Sequence, residues 1–533
     1  MESETGDRKR WLVLFLTMLM PLGSYYSFDV VSPLHDHLRS EFTKSSVLDS
    51  DDFEVVYNLM FTGTSPNSHL LHTFSNTNQH NNIVYSIPNI VLPFFTGYLV
   101  DRIGAPRISI VLTMILVIGH LILCLGVSAK STVLMIVGRT VFGLGGEGLQ
   151  VAQSTIISHH FKGSELAFAM GLQLSVARGG SVLAFNIAPH LASTYNVLTP
   201  LYLGVVICGI GVLAAILLIP FDMHRETETL SSSDDETTTT KKTTIQEDKE
   251  RNKADVLGCN FEPYTLAFWL VAVNCIITYG IVYPFNSIGT PFLIRKFLCA
   301  PKGTCCPKHE SYCEAQEQAE LHAGQLLSVP LIMSGILSPF IGALSDVVGL
   351  KANFVLMSAL LMMGAHIFLS LASSGADPLI GMLLMGAGFS IYGSVLWPCI
   401  PYLVIDSQVG VAFGLVNCLQ NMGLALYPMI IVAMRAHSGN YDDSGVFFLS
   451  LGLISTVSGI GLILVDMYKL DSRLNGDFCC RDVDKNTQDK KKQVVEVKGS
   501  LNASDESTPF LRDGLRHRVV GGDDDDGAVG DEV

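Results

Sequence analysis

The chain has 533 residues, of which 49% are hydrophobic and only 16% are charged, and its mean hydropathy is +0.39. Soluble globular proteins carry about 25% charged residues, so this composition predicts a protein that lies largely within a membrane. The net charge of −15 does not indicate a basic partner, because the acidic residues cluster in polar segments such as 231–240 and 521–533. No basic, aromatic-rich segment indicates nucleic-acid binding.

The first apolar run, WLVLFLTMLMPLG, follows the basic residues Arg8, Lys9 and Arg10. It lacks a clear cleavage pattern and leads into further apolar segments, which favours a first transmembrane helix over a signal peptide. A bilayer requires about 20 mostly apolar residues per helix. By this measure the sequence contains twelve predicted spans, at residues 11–33, 83–100, 107–129, 132–160, 164–192, 198–221, 264–292, 322–346, 353–373, 378–404, 411–434 and 445–468.

The predicted spans form two groups of six, which indicates an all-α membrane protein built from two six-helix halves. We predict a cytosolic tail (1–10), a first half (11–221), a disordered cytosolic linker (222–260), a second half (261–470) and a disordered cytosolic tail (471–533). The linker and the tail are too polar to form a core. Most Lys and Arg residues of the short loops lie on the side of the N-terminus, which the positive-inside rule assigns to the cytosol. Twelve spans return the C-terminus to that side.

The loop between the seventh and eighth predicted spans, CAPKGTCCPKHESYC, contains four cysteines. Four cysteines this close together indicate either a small zinc site or two disulfides. The predicted topology places the loop outside the cytosol, which favours disulfides with three possible pairings. The candidates are Cys299, Cys305, Cys306 and Cys313.

A short repeat follows the second span of each half: GYLVDRIGAPR (97–107) is echoed by GALSDVVGLKA (342–352). One copy alone is explained by a tight turn whose aspartate caps the next helix. Two copies at equivalent places resemble the loop signature of the major facilitator superfamily, whose fold consists of two six-helix halves. GRTVFGLGGEG resembles the fourth-helix motif of that superfamily, and the resemblance covers residues 8–470. It implies structural or gating roles for Asp101, Arg102 and Asp346.

Three ionisable residues, Arg139, Glu147 and Arg178, lie within predicted spans, where a charge is costly and therefore marks a functional candidate. Glu147 and Arg178 lie near the middle of consecutive spans, at the depth where secondary transporters bind their substrates. One interpretation is a buried ion pair that locks two helices together. The other is that Glu147 binds the ammonium group of a zwitterionic substrate and Arg178 binds its carboxylate.

Other residues of these spans are assigned by position. Arg139 lies nearer the non-cytosolic end, and we expect a structural or gating role for it. The neighbouring glycines are expected to let helices approach closely rather than to bind phosphate. Gln150 shares the helix face of Glu147, and Tyr25 and Trp397 offer amphipathic surfaces. These three are candidate cavity residues, with ordinary core packing as the alternative.

Segments 85–104, 142–181 and 396–428 resemble the lysosomal dipeptide transporter branch of the superfamily. This resemblance implies a passive uniporter that exports dipeptides from the lysosome, with a glycosylated single-pass lysosomal membrane protein as accessory subunit. It also implies that Glu147 and Arg178 are the central acid and base. The one glycosylation sequon, at Asn502, lies in the predicted cytosolic tail, so the chain itself should carry no N-glycan. Lysosomal targeting is implied by the resemblance alone.

Residues 62–82 separate two apolar segments that would otherwise form one long helix, so we interpret them as a lumenal insertion or a retained intron. Two functional alternatives remain open. The chain could be a proton-coupled symporter of small zwitterions or organic anions with Glu147 as the protonation site, or a non-transporting membrane sensor or scaffold. The sequence contains no nucleophile–base set, metal cluster or cofactor motif, so neither an enzyme nor a cofactor is predicted.

Overall fold

The computed structural model describes residues 2–44, 78–161, 165–231, 264–298, 314–373, 375–438, 442–470 and 472–476. The elements formed by these residues are all helical. The four-cysteine loop, most of the predicted insertion, most of the linker and almost all of the C-terminal tail lie outside the described residues.

In the part of the chain that the structure describes, the first half contains six long α-helices, one short α-helix and a 3-10 turn at Ser32–Leu34. The α-helices are α1 (Glu2–Asp29), the short α2 (His35–Lys44), α3 (Asn78–Ile103), α4 (Ala105–Ser128), α5 (Thr132–Phe161), α6 (Leu166–Thr194) and α7 (Leu198–Ser231). The sequence did not predict α2. α7 continues to Ser231, beyond residue 221, where the sequence predicts the end of the sixth span. The second predicted span also begins earlier than expected, since α3 includes the last residues of the predicted insertion.

The second half contributes six long helices, which are α8 (Leu266–Leu293), α9 (Glu314–Val348), α10 (Lys351–Leu371), α11 (Leu379–Leu403), α12 (Val409–Ser438) and α13 (Asp442–Lys469). Eleven helices of the described part are long and apolar enough to cross a membrane. The 26-residue α3 completes the twelve that the sequence predicts. Large apolar side chains such as Leu213, 61% exposed, and Phe340, 70% exposed, lie on the outside of the bundle. Such a surface suits lipid.

The glycines of GRTVFGLGGEG bring α5 against α4. A Cβ atom at Gly138 would lie 2.5 Å from the backbone nitrogen of Leu123, and one at Gly145 would lie 2.8 Å from the carbonyl oxygen of Leu112. Only a residue without a side chain allows this approach, which is the small-residue packing used within membranes. The prediction that the glycines at 143, 145, 146 and 148 serve helix packing is therefore confirmed for Gly145, and Gly138, which was not part of that prediction, packs in the same way.

The two halves meet at one end of the bundle, which we call the closed end: it is the end at which α1 begins. There α3 packs on α12, with Gly97 against the backbone of Gly410, and α6 packs on α9, with Gly171 against Ser338. A large buried cluster joins apolar residues of both halves. At the opposite end, the open end, a buried cluster around Tyr26 consists of first-half residues alone.

Candidate functional site

Glu147 lies near the middle of α5 and is held by two asparagines of α12. Its Oε2 atom accepts hydrogen bonds from Asn417 Nδ2 at 3.2 Å and from Asn421 Nδ2 at 3.0 Å. The two asparagines are one helical turn apart, so both reach the same carboxylate oxygen. Asn417 is 1% exposed and Asn421 is 9% exposed, whereas Glu147 is half-buried. Both bonds go to Oε2, and no hydrogen bond to the second carboxylate oxygen, Oε1, is formed among the described residues.

Arg178 lies near the middle of α6 and is held by aromatic residues of the second half. Its Nη2 atom donates to the hydroxyl of Tyr283 on α8 at 3.1 Å, and the guanidinium lies 5.8 Å from the ring centre of Phe389 on α11. Tyr279 stacks on Tyr283, and both rings meet Phe389 edge-on. The Nε atom of Arg178 is buried and has no hydrogen-bond partner among the described residues.

Glu147 and Arg178 do not form an ion pair: no contact within 4 Å joins the two charged groups, both of which lie in the described part of the chain. The interpretation of a locked pair is therefore wrong for this conformation. Both charges belong to the first half, and each contacts uncharged groups of the second half. The site thus lies between the halves, and it keeps one acceptor and one donor for a ligand.

Tyr25 lies near both charged residues. It belongs to α1, is half-buried, and is near enough to Arg178, Tyr283 and Glu147 to interact electrostatically with each. Asp29, one turn further along α1, accepts a hydrogen bond from Ser181 and lies near Arg178. The structure therefore places Tyr25 near both Glu147 and Arg178.

Gln150 and Trp397 lie together on the closed-end side of Glu147. They line a narrow pocket with Val151, Ser154, Phe413 and Asn417. Trp397 stacks on Phe413 with ring centres 6.2 Å apart, and the indole is only 8% exposed. We call this pocket, which lies between Glu147 and the closed end, the floor of the site.

Arg139 holds the open end of α1. Its two terminal nitrogens donate to the carbonyl oxygens of Ser27, at 3.1 Å, and Phe28, at 2.8 Å. The last carbonyl groups of a helix have no partner within the helix and carry partial negative charge, so a cation stabilises them. Arg139 is 2% exposed, and this geometry is that of a structural residue next to the site.

The two repeat aspartates each cap a helix of the opposite half. Asp101 accepts from the backbone nitrogens of Gly410 and Val411 at the start of α12, both at 2.7 Å. Asp346 accepts from the backbone nitrogen of Phe168 at the start of α6, at 2.9 Å. The alternative of a local turn, in which each aspartate caps the next helix, is therefore wrong for both copies. We call these two contacts the Asp101 latch and the Asp346 latch.

The remaining predicted site residues are Arg102 and the four loop cysteines. The guanidinium of Arg102 lies 4.8 Å above the ring of Tyr98 at the exposed end of α3. The four cysteines of the predicted disulfide loop lie outside the described residues. Within the described ranges, no group of three or more His, Cys, Asp or Glu side chains is arranged to bind a metal ion.

Sequence reasoning missed the second-half residues of the site. Asn417 and Asn421 belong to VNCLQNMG, in which three polar side chains recur at helical spacing within an apolar span. That pattern was a usable signal, because buried amides in a membrane require partners. Tyr279 and Tyr283 are also one turn apart, but a tyrosine pair in an apolar helix is equally typical of core packing.

Comparison with known proteins identifies the family. The sequence profile of the Major Facilitator Superfamily matches residues 55–428. The chain belongs to this superfamily. It is therefore a multi-pass membrane transporter and not an enzyme, in agreement with the predicted fold.

Two relatives and two solved structures illustrate the similarity. The lysosomal dipeptide transporter MFSD1 of Homo sapiens is 28% identical over 468 residues, which cover 86% of this chain and 86% of that protein. Its Bos taurus counterpart is 30% identical over 393 residues, covering 72% and 76%. The human organic anion transporter MFSD10 (TETRAN) has a TM-score of 0.55 at 12% identity and covers 85% and 99% of the two chains. The proton:xylose symporter XylE has a TM-score of 0.58 at 13% identity and covers 85% and 95%.

Proposed function

We propose that the chain is a dipeptide transporter in which Glu147 binds the substrate's ammonium group and Arg178 binds its carboxylate. One observation carries this proposal: two opposite charges lie near each other in the middle of the bundle, both close to Tyr25, without forming an ion pair. Each keeps a free hydrogen-bonding atom, Glu147 Oε1 and Arg178 Nε. A zwitterion offers both missing partners, and a guanidinium is well suited to a carboxylate. The names of the related transporters favour a dipeptide as that zwitterion.

The neutral partners in the second half give the substrate a role in the conformational change. Asn417, Asn421 and Tyr283 hold the two charged residues without cancelling their charges. A substrate that binds Glu147 and Arg178 therefore also acts on the contacts between the halves. In alternating access the halves rock about such a central site. The closed end would open only after the Asp101 and Asp346 latches and the floor at Trp397 separate.

The aromatic residues around Arg178 are expected to contact the side chains of the bound dipeptide. Tyr279 and Tyr283, which pack on the buried Phe389, present apolar faces with hydroxyl groups at their edges. Such a surface accepts side chains of different size without fixed hydrogen bonds, so it suits a transporter that recognises the peptide termini. We therefore expect transport of many dipeptides, with recognition depending mainly on the two charged ends.

We further propose passive uniport across the lysosomal membrane, with both termini in the cytosol and a glycosylated single-pass protein as accessory subunit. A proton-coupled mechanism would require Glu147 to be protonated during the cycle. A pH gradient across proteoliposomes separates these possibilities: uniport predicts that uptake ends at equal concentrations on both sides, whereas coupling predicts accumulation. Tags on either terminus that remain accessible to antibody after selective permeabilisation of the plasma membrane would support the proposed topology.

Uptake of labelled Ala-Ala into proteoliposomes tests the binding roles. Arg178→Ala and Glu147→Gln are each expected to lower uptake at least about 100-fold, because loss of a charge-assisted contact costs several kcal/mol in a partly dry site. The matched controls are Arg295→Ala and Glu41→Gln, which alter exposed residues away from the site. Normal uptake by either site variant at equal reconstitution would exclude that residue from substrate binding. Saturable binding without uptake by the unaltered protein would instead favour a sensor.

A further inference from the structure

The two latches between the halves differ in how they are built. Asp101 uses both carboxylate oxygens on backbone N–H groups of α12. Asp346 uses one oxygen on Phe168 of α6, while its other oxygen pairs with Lys351 Nζ at 2.9 Å. The position of Lys351, which is only 5% exposed, therefore determines where the Asp346 carboxylate lies.

Lys351 is the first residue of α10, and this helix has no cap of its own. The residue before it is Leu350, whose side chain cannot accept a hydrogen bond. The first two N–H groups of α10 are bonded instead to the segment that follows α13. Lys351 N donates to Leu474 O at 3.0 Å, and Ala352 N donates to Asn475 Oδ1 at 3.0 Å. An asparagine more than a hundred residues away thus replaces the local N-cap.

The segment 472–476 is itself fixed by a buried carboxylate. Asp466, near the end of α13, is 0% exposed and accepts from Leu474 N at 2.9 Å and from Asn475 N at 3.0 Å. The side chain of Leu474 is 1% exposed and belongs to the buried cluster that joins the halves. A buried carboxylate with two backbone donors holds a turn firmly, because breaking the turn would leave the charge without these partners.

We propose that residues 472–476 form a strut that positions Lys351, and through it the Asp346 latch, with Asp466 and Asn475 as positioning residues. The hydrogen bonds are continuous from Asp466 through Leu474 and Asn475 to the start of α10, and from Lys351 through Asp346 to α6. The C-terminal segment thus stabilises the conformation that is sealed at the closed end. This inference rests on the proposed alternating access for its consequence in transport.

The strut influences transport through the balance between two conformations. If the Asp346 latch weakens, the closed end opens more often and the conformation that binds substrate from the open end is less populated. The apparent affinity for substrate entering from that side then falls in proportion. A residue that only stabilised the folded protein would change the amount of active transporter and leave the Michaelis constant as it was.

Hydrogen exchange of the reconstituted full-length protein tests the strut directly. Asn475→Ala is expected to speed the exchange of amides at the start of α6, including Phe168, on the order of five-fold, because the cap that supports the latch is lost. The matched control is Asn196→Ala, which removes the asparagine that caps Thr199 N at the open end. Asn475→Asp keeps an acceptor for Ala352 N and should exchange like the unaltered protein.

Two outcomes overturn the proposal: exchange at the start of α6 that Asn475→Ala leaves unchanged, or an equal increase with Asn196→Ala. If Asn475→Ala does not fold, Asp466→Asn supplies the same test, because it weakens the bonds to Leu474 and Asn475. For Ala-Ala that enters from the open end, the Michaelis constant should also rise about two- to five-fold with Asn475→Ala. With Asn475→Asp it should equal that of the unaltered protein. Because exchange is measured without substrate, absence of dipeptide transport would refute the proposed function and leave the strut intact.

Discussion

Replacing Asn421 by alanine tests whether the second half positions Glu147. The substitution removes the 3.0 Å bond to Oε2 and leaves the 3.2 Å bond from Asn417. A hydrogen bond to a charged group contributes about 1.5–3 kcal/mol, and the half-buried position of Glu147 favours the lower value. A loss of about 1.5 kcal/mol corresponds to roughly a ten-fold increase in the Michaelis constant for dipeptide uptake.

The assay is the concentration dependence of Ala-Ala uptake into proteoliposomes at matched amounts of folded protein. The control is Asn274→Ala, which removes a buried asparagine bonded to Leu270, Ser455 and Ser458 within the second half. This control should lower thermal stability and leave the Michaelis constant unchanged. The reasoning is refuted if Asn421→Ala keeps the constant of the unaltered protein, or if Asn274→Ala raises it as much.

Three further predictions concern the opposite wall, the closed end and the floor. Tyr283→Phe removes the hydroxyl that accepts a hydrogen bond from Arg178 Nη2 and keeps the ring, and should raise the Michaelis constant about five-fold in the same uptake assay; an unchanged constant would show that the hydroxyl plays no part. Asp101→Asn leaves only one acceptor for the two N–H groups of α12, so the hydrogen-exchange rates of the Gly410 and Val411 amides should rise about ten-fold. Unchanged exchange rates at these two amides would exclude the Asp101 latch. Trp397→Ala enlarges the floor, so dipeptides with a large first residue should inhibit uptake more strongly relative to Ala-Ala than they do in the unaltered protein. The same ranking of inhibitory dipeptides in both proteins would contradict a role of Trp397 in side-chain selection.

The sequence predicts the membrane helices well because each span is recognisable from its own apolar residues. It also predicts that Glu147 and Arg178 lie near the middle of their helices, since position along a helix follows from the residue count. The boundaries were less accurate: α7 continues past the apolar run, because a helix can extend into polar sequence once it has left the bilayer.

The contacts between distant segments could not be predicted from a single sequence. Asp101 and Asp346 have the spacing of local helix caps, but the free N–H groups nearest to them belong to helices of the other half. The cap of α10 is Asn475, 123 residues from the amide that it accepts. The partners of Glu147 are also on a distant helix, so the choice between an ion pair and a ligand site required the packing of the halves.

Chemical blocking of the substrate's ends, combined with substitution of the residues proposed to bind them, tests the central claim most directly. Competition by Ala-Ala, N-acetyl-Ala-Ala and Ala-Ala-amide would be measured against a bound reporter dipeptide for the unaltered protein, Glu147→Gln and Arg178→Ala. We predict that N-acetylation weakens binding at least about ten-fold in the unaltered protein and hardly at all in Glu147→Gln, and that amidation behaves in the same way with Arg178→Ala. Equal losses in the unaltered protein and the matching variant would contradict binding of the substrate's two ends by Glu147 and Arg178.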